Sequence, residues 1–440
     1  RQKPAKLLPP VRIRVSPFVF KFFDYMSKFF SLPVLYRCYR FAFFTMINNF
    51  SYNLYKNNIS FCAAKKENTQ AHKKTSGALP QVIKGKYADA NVFKYEISDE
   101  MLAHIRQYCS CPVFKNSTIA IMPDGEAYNG NITGISARVE PSELNNLSPD
   151  VIGNDIGCGV LVVKTNAKEK QIDYEELDRY IKFELSNSFA AANELPCELK
   201  EELYKVAEAL NIDNPEEIEK SLATLGGGNH FIELDKDEDD NIYLAIHSGS
   251  RKLGFLTAEF YRKSFGSSEK DKASSELKYI DAVRFVQKFA EYNRMLMAKN
   301  IMAKMGVEPL EVLDCPHNYI SDDMILHKGT IDASLGKKLA IPLNMRDGIV
   351  LGVGKGNKKW NCSAPHGSGR KYSRSEAKKA IDYKAYCESM KGIYTTSVSR
   401  KSIDEAPQAY NDSKEVLDLI TQTIKMDKVI SPVYVYKKKS

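Results

Sequence analysis

Four of the seven histidines of this chain fall in short turns rich in glycine, serine or asparagine, and each turn abuts an apolar, strand-like run. His230 ends Gly226-Gly-Gly-Asn229-His230, just before Phe-Ile-Glu233. His247 follows Ile242-Tyr-Leu-Ala-Ile246 and opens His247-Ser-Gly-Ser-Arg251. His317 closes Cys315-Pro-His317-Asn318, and His366 lies within Ala364-Pro-His366-Gly-Ser-Gly-Arg370. A fifth turn, Asn154-Asp155-Ile-Gly-Cys158-Gly159, precedes Val160-Leu-Val-Val163. Polar turns at strand ends constrain the fold: such loops can converge on one site while the rigid elements behind them hold them.

Apolar spacing of three and four predicts helices over 173–190, 197–210, 276–305 and 374–390. Strands are predicted at 160–163, 242–246, 349–351 and 433–436. Their order shows no regular βα alternation and no internal repeat, so the expected fold is mixed α/β, of the α+β kind and of complex topology. A chain of 440 residues is long enough to bury a sizeable core.

The net charge of +8 invites a nucleic-acid reading, but its distribution undercuts it. Residues 1–80 hold 14 of the 63 basic side chains against only Asp24 and Glu67, leaving 49 basic and 53 acidic groups over 81–440. The expected folded part is slightly acidic, and any RNA contact there must come from a local groove. Residues 17–60 are crowded with Phe and Tyr, yet Lys21, Asp24, Lys28, Arg37 and Arg40 interrupt every long apolar run, so stable membrane insertion is not expected. Basic and acid-poor, residues 1–80 read as an extension and linker, either unstructured or an organellar presequence; folded character is expected from Gln81. Nine scattered cysteines do not form a secreted disulfide framework, which favours a reducing compartment such as the cytoplasm, or an organelle if residues 1–70 act as a presequence.

Taken singly, each histidine turn is an ordinary turn. Taken together, Asp155, Cys158, His230, His247 and His317 offer a carboxylate, a thiolate and three imidazoles, all metal-capable. Five donors exceed the needs of one tetrahedral ion, and a bridging thiolate or carboxylate would let them serve two. Ligand softness alone favours zinc over manganese. Glycine clusters with nearby Arg or Lys, at 226–229, 249–251, 352–356 and 367–370, have the composition that cradles phosphate, although no Walker loop is present.

In this order, Asp-Ile-Gly-Cys-Gly, Gly-Gly-Gly-Asn-His-Phe-Ile-Glu, His-Ser-Gly-Ser-Arg, His-Asn-Tyr and Ala-Pro-His-Gly-Ser-Gly-Arg resemble the motifs of the RtcB family of RNA ligases. The similarity runs from about Ile119 to Lys437; Met345-Arg-Asp-Gly348 and Gly354-Lys-Gly-Asn357 resemble the branch called RtcB-like. The resemblance implies one large catalytic domain over 81–440, with a β-sheet core and peripheral helices. It implies a GTP- and manganese-dependent ligase that joins an RNA 3′-phosphate or 2′,3′-cyclic phosphate end to a 5′-hydroxyl end, as in tRNA splicing or RNA repair. By motif matching, His366 takes GMP covalently, and Asp155, Cys158, His230, His247 and His317 hold two Mn²⁺ ions. Asn229, Glu233, Asn318, Gly367, Gly369 and Lys437 contact GTP, while Arg251 holds an RNA-end phosphate. An archease-like activator is a further implied partner.

The chain departs from the family pattern at two places. Met122-Pro-Asp124-Gly-Glu126-Ala-Tyr-Asn129 carries Glu126 and Asn129 where the family usually has His and Lys, and Ala409-Tyr410-Asn411 has Asn in place of Lys. These departures bear on substrate choice and keep two other classes open: a metal-dependent RNA-end phosphohydrolase and a non-ligating RNA-binding repair factor.

Overall fold

Strand β5 (Gly159–Lys168) is buried along most of its length. Because side chains alternate across a strand, Leu161 and Val163 enter one apolar cluster while Val160 and Val162 enter another. Such a strand belongs at the centre of a layered structure, and the computed structural model places it there. The structure describes residues 79–128, 131–185, 195–265 and 277–438. The expected extension lies outside the described residues up to residue 78, as does Asn129. Among the described residues no helix is long and apolar enough to cross a membrane.

Two larger sheets form the body. One runs β1 (Gln81–Ile83), β2 (Asp89–Val92), β3 (Thr118–Tyr128), β4 (Asn131–Arg138), β10 (Ile325–Lys328), β9 (Asn318–Ile320). The other runs β12 (Lys338–Asn344), β13 (Gly348–Gly354), β15 (Ile424–Tyr436), β6 (Phe231–Lys236), β7 (Asn241–Ser248), β5, β8 (Pro309–Pro316). A short pair, β11 (Thr330–Asp332) with β14 (Ser363–Pro365), carries the chain into His366. The structure is thus a mixed α+β fold.

Nine α-helices are described: α1 (Asp99–Cys109), α2 (Tyr174–Phe183), α3 (Cys197–Ala209), α4 (Pro215–Glu219), α5 (Lys252–Ser264), α6 (Tyr279–Met305), α7 (Arg374–Ala380), α8 (Tyr383–Ser389) and α9 (Ser413–Ile420). All four predicted strands fall inside observed ones. The predicted helix 374–390 is two helices, because the Asp382 carboxylate accepts the Ala385 N–H and starts α8 as a new helix. The predicted helix 173–190 is observed over Tyr174–Phe183, and its last residues lie outside the described ones.

Helix α6 has 27 residues, about 40 Å at 1.5 Å per residue, and ends at Gly306, which takes a left-handed φ of 68°. It packs on β5 and β7 and on helices α2, α3 and α5. Arg294, 1% exposed on this helix, is the fold's main tie to the loops that follow. Its Nε and Nη2 each donate to the Asp314 carboxylate at 2.7 Å, while Nη1 donates to the carbonyls of Gly157 at 2.8 Å and Ser248 at 2.9 Å. Those carbonyls immediately flank Cys158 and His247. Asn293 beside it donates to the Gly249 carbonyl and the Ser248 hydroxyl, both at 3.2 Å.

Replacing Arg294 by Met strips Asp314 of its partner and leaves two carbonyls without donors. Loss of one member of a buried pair costs about 3–5 kcal/mol. Chemical denaturation of Arg294→Met should show a loss of that order, and a loss below about 1 kcal/mol would remove the clamp from the account of stability.

Candidate active site

The strand register brings the predicted turns to one edge. Gly159 pairs with Ser248 on one side and Pro316 on the other, and Phe231 pairs with His247. Cys158, His230, His247 and His317 therefore stand at adjacent ends of β5, β6, β7 and β8. Two backbone bonds lace the first and last of these loops together: His317 N–H to Cys158 O at 2.8 Å and Gly157 N–H to Asn318 O at 2.8 Å.

The side chains converge. Cys158 Sγ lies 3.4 Å from His230 Nε2 and 3.2 Å from His247 Nε2. His230 Nε2 is 3.2 Å from Asp155 Oδ2, and His247 Nε2 is 3.3 Å from His317 Nε2. Cys158 is thus shared by two triads, Asp155–His230–Cys158 and Cys158–His247–His317. Donor atoms on one ion with bonds of about 2.0–2.3 Å stand roughly 3.3–3.7 Å apart, so these separations suit the edges of a coordination shell.

The proton pattern agrees. His230 Nδ1 donates to the Leu225 carbonyl at 2.9 Å, which leaves the Nε2 lone pair toward Cys158 and Asp155. The Arg251 guanidinium, 3.4 Å from the same Nδ1, is therefore a neighbour and not its donor. Burial pulls His247 and His317 well below the usual histidine range, with the neighbouring imidazoles adding to the effect, so both are in the neutral, ligand-competent form. Burial, reinforced by Asp155, pushes the Cys158 thiol up; a bound cation would supply the positive charge that a buried thiolate needs. Partial burial works against the charge of Asp155, but the His230 bond and the nearby Cys158 and Arg251 hold its carboxyl below the usual range. The close approach here requires glycine at 249, since a Cβ there would meet Asp155 Oδ1 at 2.2 Å.

His366 joins this cluster from β14, its ring centroid 4.8 Å from that of His317. Asp124 on β3 holds it: Oδ2 accepts from His366 Nδ1 at 2.6 Å and from the His366 backbone N–H at 3.2 Å. Burial would lower the imidazole, but Asp124 first, then Glu126 and the Gly329 carbonyl, outweigh it and raise His366 above the usual range. Asp124 was missed as a site residue in the sequence, although it stands in the Met122-Pro-Asp124 stretch that the family resemblance already draws attention to. Backbone strain marks two approaches to the site: Asn361 and Cys362 both have left-handed φ just before β14, and Arg251 has φ 59°, ψ −139° at the start of α5.

The remaining predicted residues are placed as follows. Lys437, 6% exposed, donates to Glu405 Oε2 at 2.5 Å and to the Asn229 carbonyl at 3.3 Å, with its ammonium 5.7 Å from the centre of the Phe231 ring. Asn229 itself is exposed. Glu233 is buried on β6 next to Asp235, a pair whose burial raises both carboxyls, Glu233 to about 7 and Asp235 well above the usual carboxylate range. Asn318 has both ends of its amide engaged, Nδ2 on the Asp155 carbonyl at 3.0 Å and Oδ1 accepting from Gly329 at 2.9 Å. Gly367 and Gly369 flank Ser368, whose hydroxyl donates to the Leu343 carbonyl at 2.6 Å. The 352–356 glycine cluster is used by the fold: Gly354 presses on Ala333, and Lys355 Nζ donates to the Thr421 carbonyl at 2.5 Å.

Glu405 also accepts from Tyr410 at 2.7 Å and pairs with Arg374 at 2.5 Å. Burial opposes its charge, but Lys437 and Arg374 hold its carboxyl down at about 2. A depressed carboxylate contributes stability that is full above the ordinary glutamate range and is lost as pH falls through about 2. The melting-temperature gap between the native chain and Glu405→Gln should therefore be widest near neutrality and shrink below about pH 4, the unfolded glutamate range; a constant gap would contradict this.

Comparisons with known proteins follow the same motifs. The sequence model of the RtcB family, described as tRNA-splicing ligase RtcB, matches residues 175–438, more than half of the chain. The RNA-splicing ligase RtcB of Escherichia coli strain K12 is 28% identical over 360 residues, covering 69% of this chain and 86% of that protein. The tRNA-splicing ligase RtcB of Aeropyrum pernix is 26% identical over 400 residues, covering 67% and 82%. That of Nanoarchaeum equitans is 25% identical over 460 residues, covering 80% and 94%. The family match and the relatives, set beside the Cys158-centred cluster and the histidine that adjoins it, establish that the chain belongs to the RtcB family.

Proposed function

We propose that this protein is an RNA ligase that joins a 3′-phosphate or 2′,3′-cyclic phosphate end to a 5′-hydroxyl end through GMP carried on His366, using GTP and two Mn²⁺ ions. The observation that carries the reading is the placement of His366 beside the shared-thiolate cluster with its Nδ1 fixed by Asp124. Fixing Nδ1 assigns the chemistry to Nε2, and a buried carboxylate oriented in this way both sets the tautomer and stabilises positive charge on the ring.

Asp155, Cys158 and His230 would hold one ion and Cys158, His247 and His317 the other. When bound, the ions neutralise phosphate oxygens so that an imidazole can attack the α-phosphorus in line. His366 Nε2 forms the bond to phosphorus as pyrophosphate leaves; a 2′,3′-cyclic end is first opened by water at its P–O2′ bond to the 3′-phosphate, and the N–P bond is broken when GMP passes to that RNA 3′-phosphate. The 5′-hydroxyl then attacks that activated end and releases GMP. Lys437, which donates to the Asn229 carbonyl, would contact GTP together with Asn229, Glu233, Asn318, Gly367 and Gly369. Arg251, next to Asp155 and His230, is a cation at hand for an RNA-end phosphate. The folded domain over 81–440 and any archease-like activator belong to this same proposal.

Incubation with labelled GTP and Mn²⁺ should place GMP on His366, in a bond that acid cleaves and alkali spares, and His366→Ala should give none. Absence of an adduct with every divalent metal tried would overturn the reading. Asp124→Asn keeps the shape but loses the charge that orients the ring, and should slow adduct formation by roughly two orders of magnitude or more. Cys158→Ala removes the atom both triads share; elemental analysis of the purified variant should find both ions lost together, whereas loss of only one would break the shared-thiolate arrangement.

A further inference from the structure

Glu233 and Asp235 on β6, and Asp237 just beyond it, stand at alternate positions, and alternate side chains of a strand share one face. The last of the three is fully partnered. Asp237 Oδ2 accepts from the Tyr243 hydroxyl and from Lys428 Nζ, both at 2.9 Å, and both of its oxygens accept from Asn241 Nδ2 at 3.0 Å. Asp235 is its opposite. It is wholly buried, and neither of its carboxyl oxygens has a donor among the described residues; the buried Glu233 Oε1 has none there either.

The elements packed on this pair offer little. On β15, Glu233 pairs with Val435 and Asp235 with Pro432; on β7 they pair with Ala245 and with Tyr243, whose hydroxyl is spent on Asp237. Lys437, just past β15, acts on Glu233 by its charge, but its ammonium donates to Glu405 and to the Asn229 carbonyl. The group within hydrogen-bonding reach of each carboxyl is the other carboxyl. Two acceptors that meet in a dry place need a proton between them, because two touching carboxylates would repel with no water to screen them. Burial and the neighbouring Glu233 push Asp235 well above the usual carboxylate range, so Asp235 keeps that proton.

We propose that Asp235 is a positioning residue of the nucleotide site: as a neutral acid it donates its O–H to Glu233, fixing that side chain and leaving it a carboxylate that reads guanine. The identity of the nucleotide rests on the ligase reading. An ionised carboxyl is acceptor-only and suits the N1–H and exocyclic N–H₂ of guanine. A protonated one offers a donor beside an acceptor, which suits adenine N1 and its exocyclic amine instead. Whether Glu233 is charged thus decides which base it favours, and Asp235 holds it in the charged form.

The test is equilibrium binding of GTP and of ATP, each with Mn²⁺ and without RNA, to full chains carrying His366→Ala so that no adduct forms. This parent should prefer GTP. Asp235→Val removes the donor and should cut the preference by about tenfold or more, the worth of a hydrogen bond to a charged group. Asp235→Asn keeps a donor in its amide and should stay within roughly threefold of the parent ratio. A general loss of folding weakens both nucleotides together and leaves the ratio alone. A parent with no preference for GTP, a ratio unmoved in Asp235→Val, or an Asp235→Asn that behaves like Asp235→Val overturns the inference. The proton is read separately, without nucleotide. With isotope-labelled aspartate, the infrared carbonyl band of a protonated carboxyl should be present in the native chain at neutral pH and absent from Asp235→Asn; a native chain without that band overturns the inference too. Failure to bind GTP with every divalent metal tried would overturn the ligase reading, whereas GTP binding with an unmoved ratio overturns only the role of Asp235.

Discussion

The arrangement depends on one buried cation. Arg294 reaches from the middle of a long helix into the gap between β5, β7 and β8, where its guanidinium satisfies Asp314 with two bonds and the carbonyls of Gly157 and Ser248 with another two. Placing that charge under the sheet edge is costly in desolvation, and the cost is offset only because a bidentate carboxylate and two carbonyls meet it. The result is a fixed spacing between the loops that carry Cys158 and His247. A metal centre built on loops needs such a foundation, since donor atoms must be held within a fraction of an ångström before an ion arrives.

Above that foundation the electrostatics divide into two zones. Around Cys158 the chain assembles neutral imidazoles and a raised thiol, groups that a dry pocket keeps uncharged until a cation enters. Around His366 the chain uses carboxyl groups instead, with Asp124 gripping both the ring and the backbone of the same residue. One zone is made to receive positive charge, and the other to hold a ring that becomes positive. The two zones meet at His317 and His366, whose ring centroids lie 4.8 Å apart.

The third element is the buried network of Lys437, Glu405, Arg374 and Tyr410, which ties the last strand to the loop after His366. It fixes the ammonium of Lys437 beside Asn229 and close to the face of Phe231. It also consumes the Arg370 guanidinium that the glycine-rich turn would otherwise offer to a ligand. Predicting a phosphate cradle from Gly-Ser-Gly-Arg is sound local chemistry, yet the arginine in this fold is pledged elsewhere.

The sequence by itself determined the strands at 160–163, 242–246, 349–351 and 433–436, the helical character of α3 and α6, and the residue types that gather at the strand ends. These are local properties: apolar periodicity, turn chemistry and the presence of donors do not depend on what lies across the molecule. Even the split between α7 and α8 had a local cause in Asp382 that the apolar pattern concealed. What only the tertiary structure decided is which groups face one another. Asp124 meets His366 across 242 residues, Arg294 meets Gly157 across 137, and Glu126 meets the Arg370 amide across 244. Nothing local marks an acid in an apolar strand as the partner of a distant histidine, because its role is created by the sheet order and register that bring the two chain segments together.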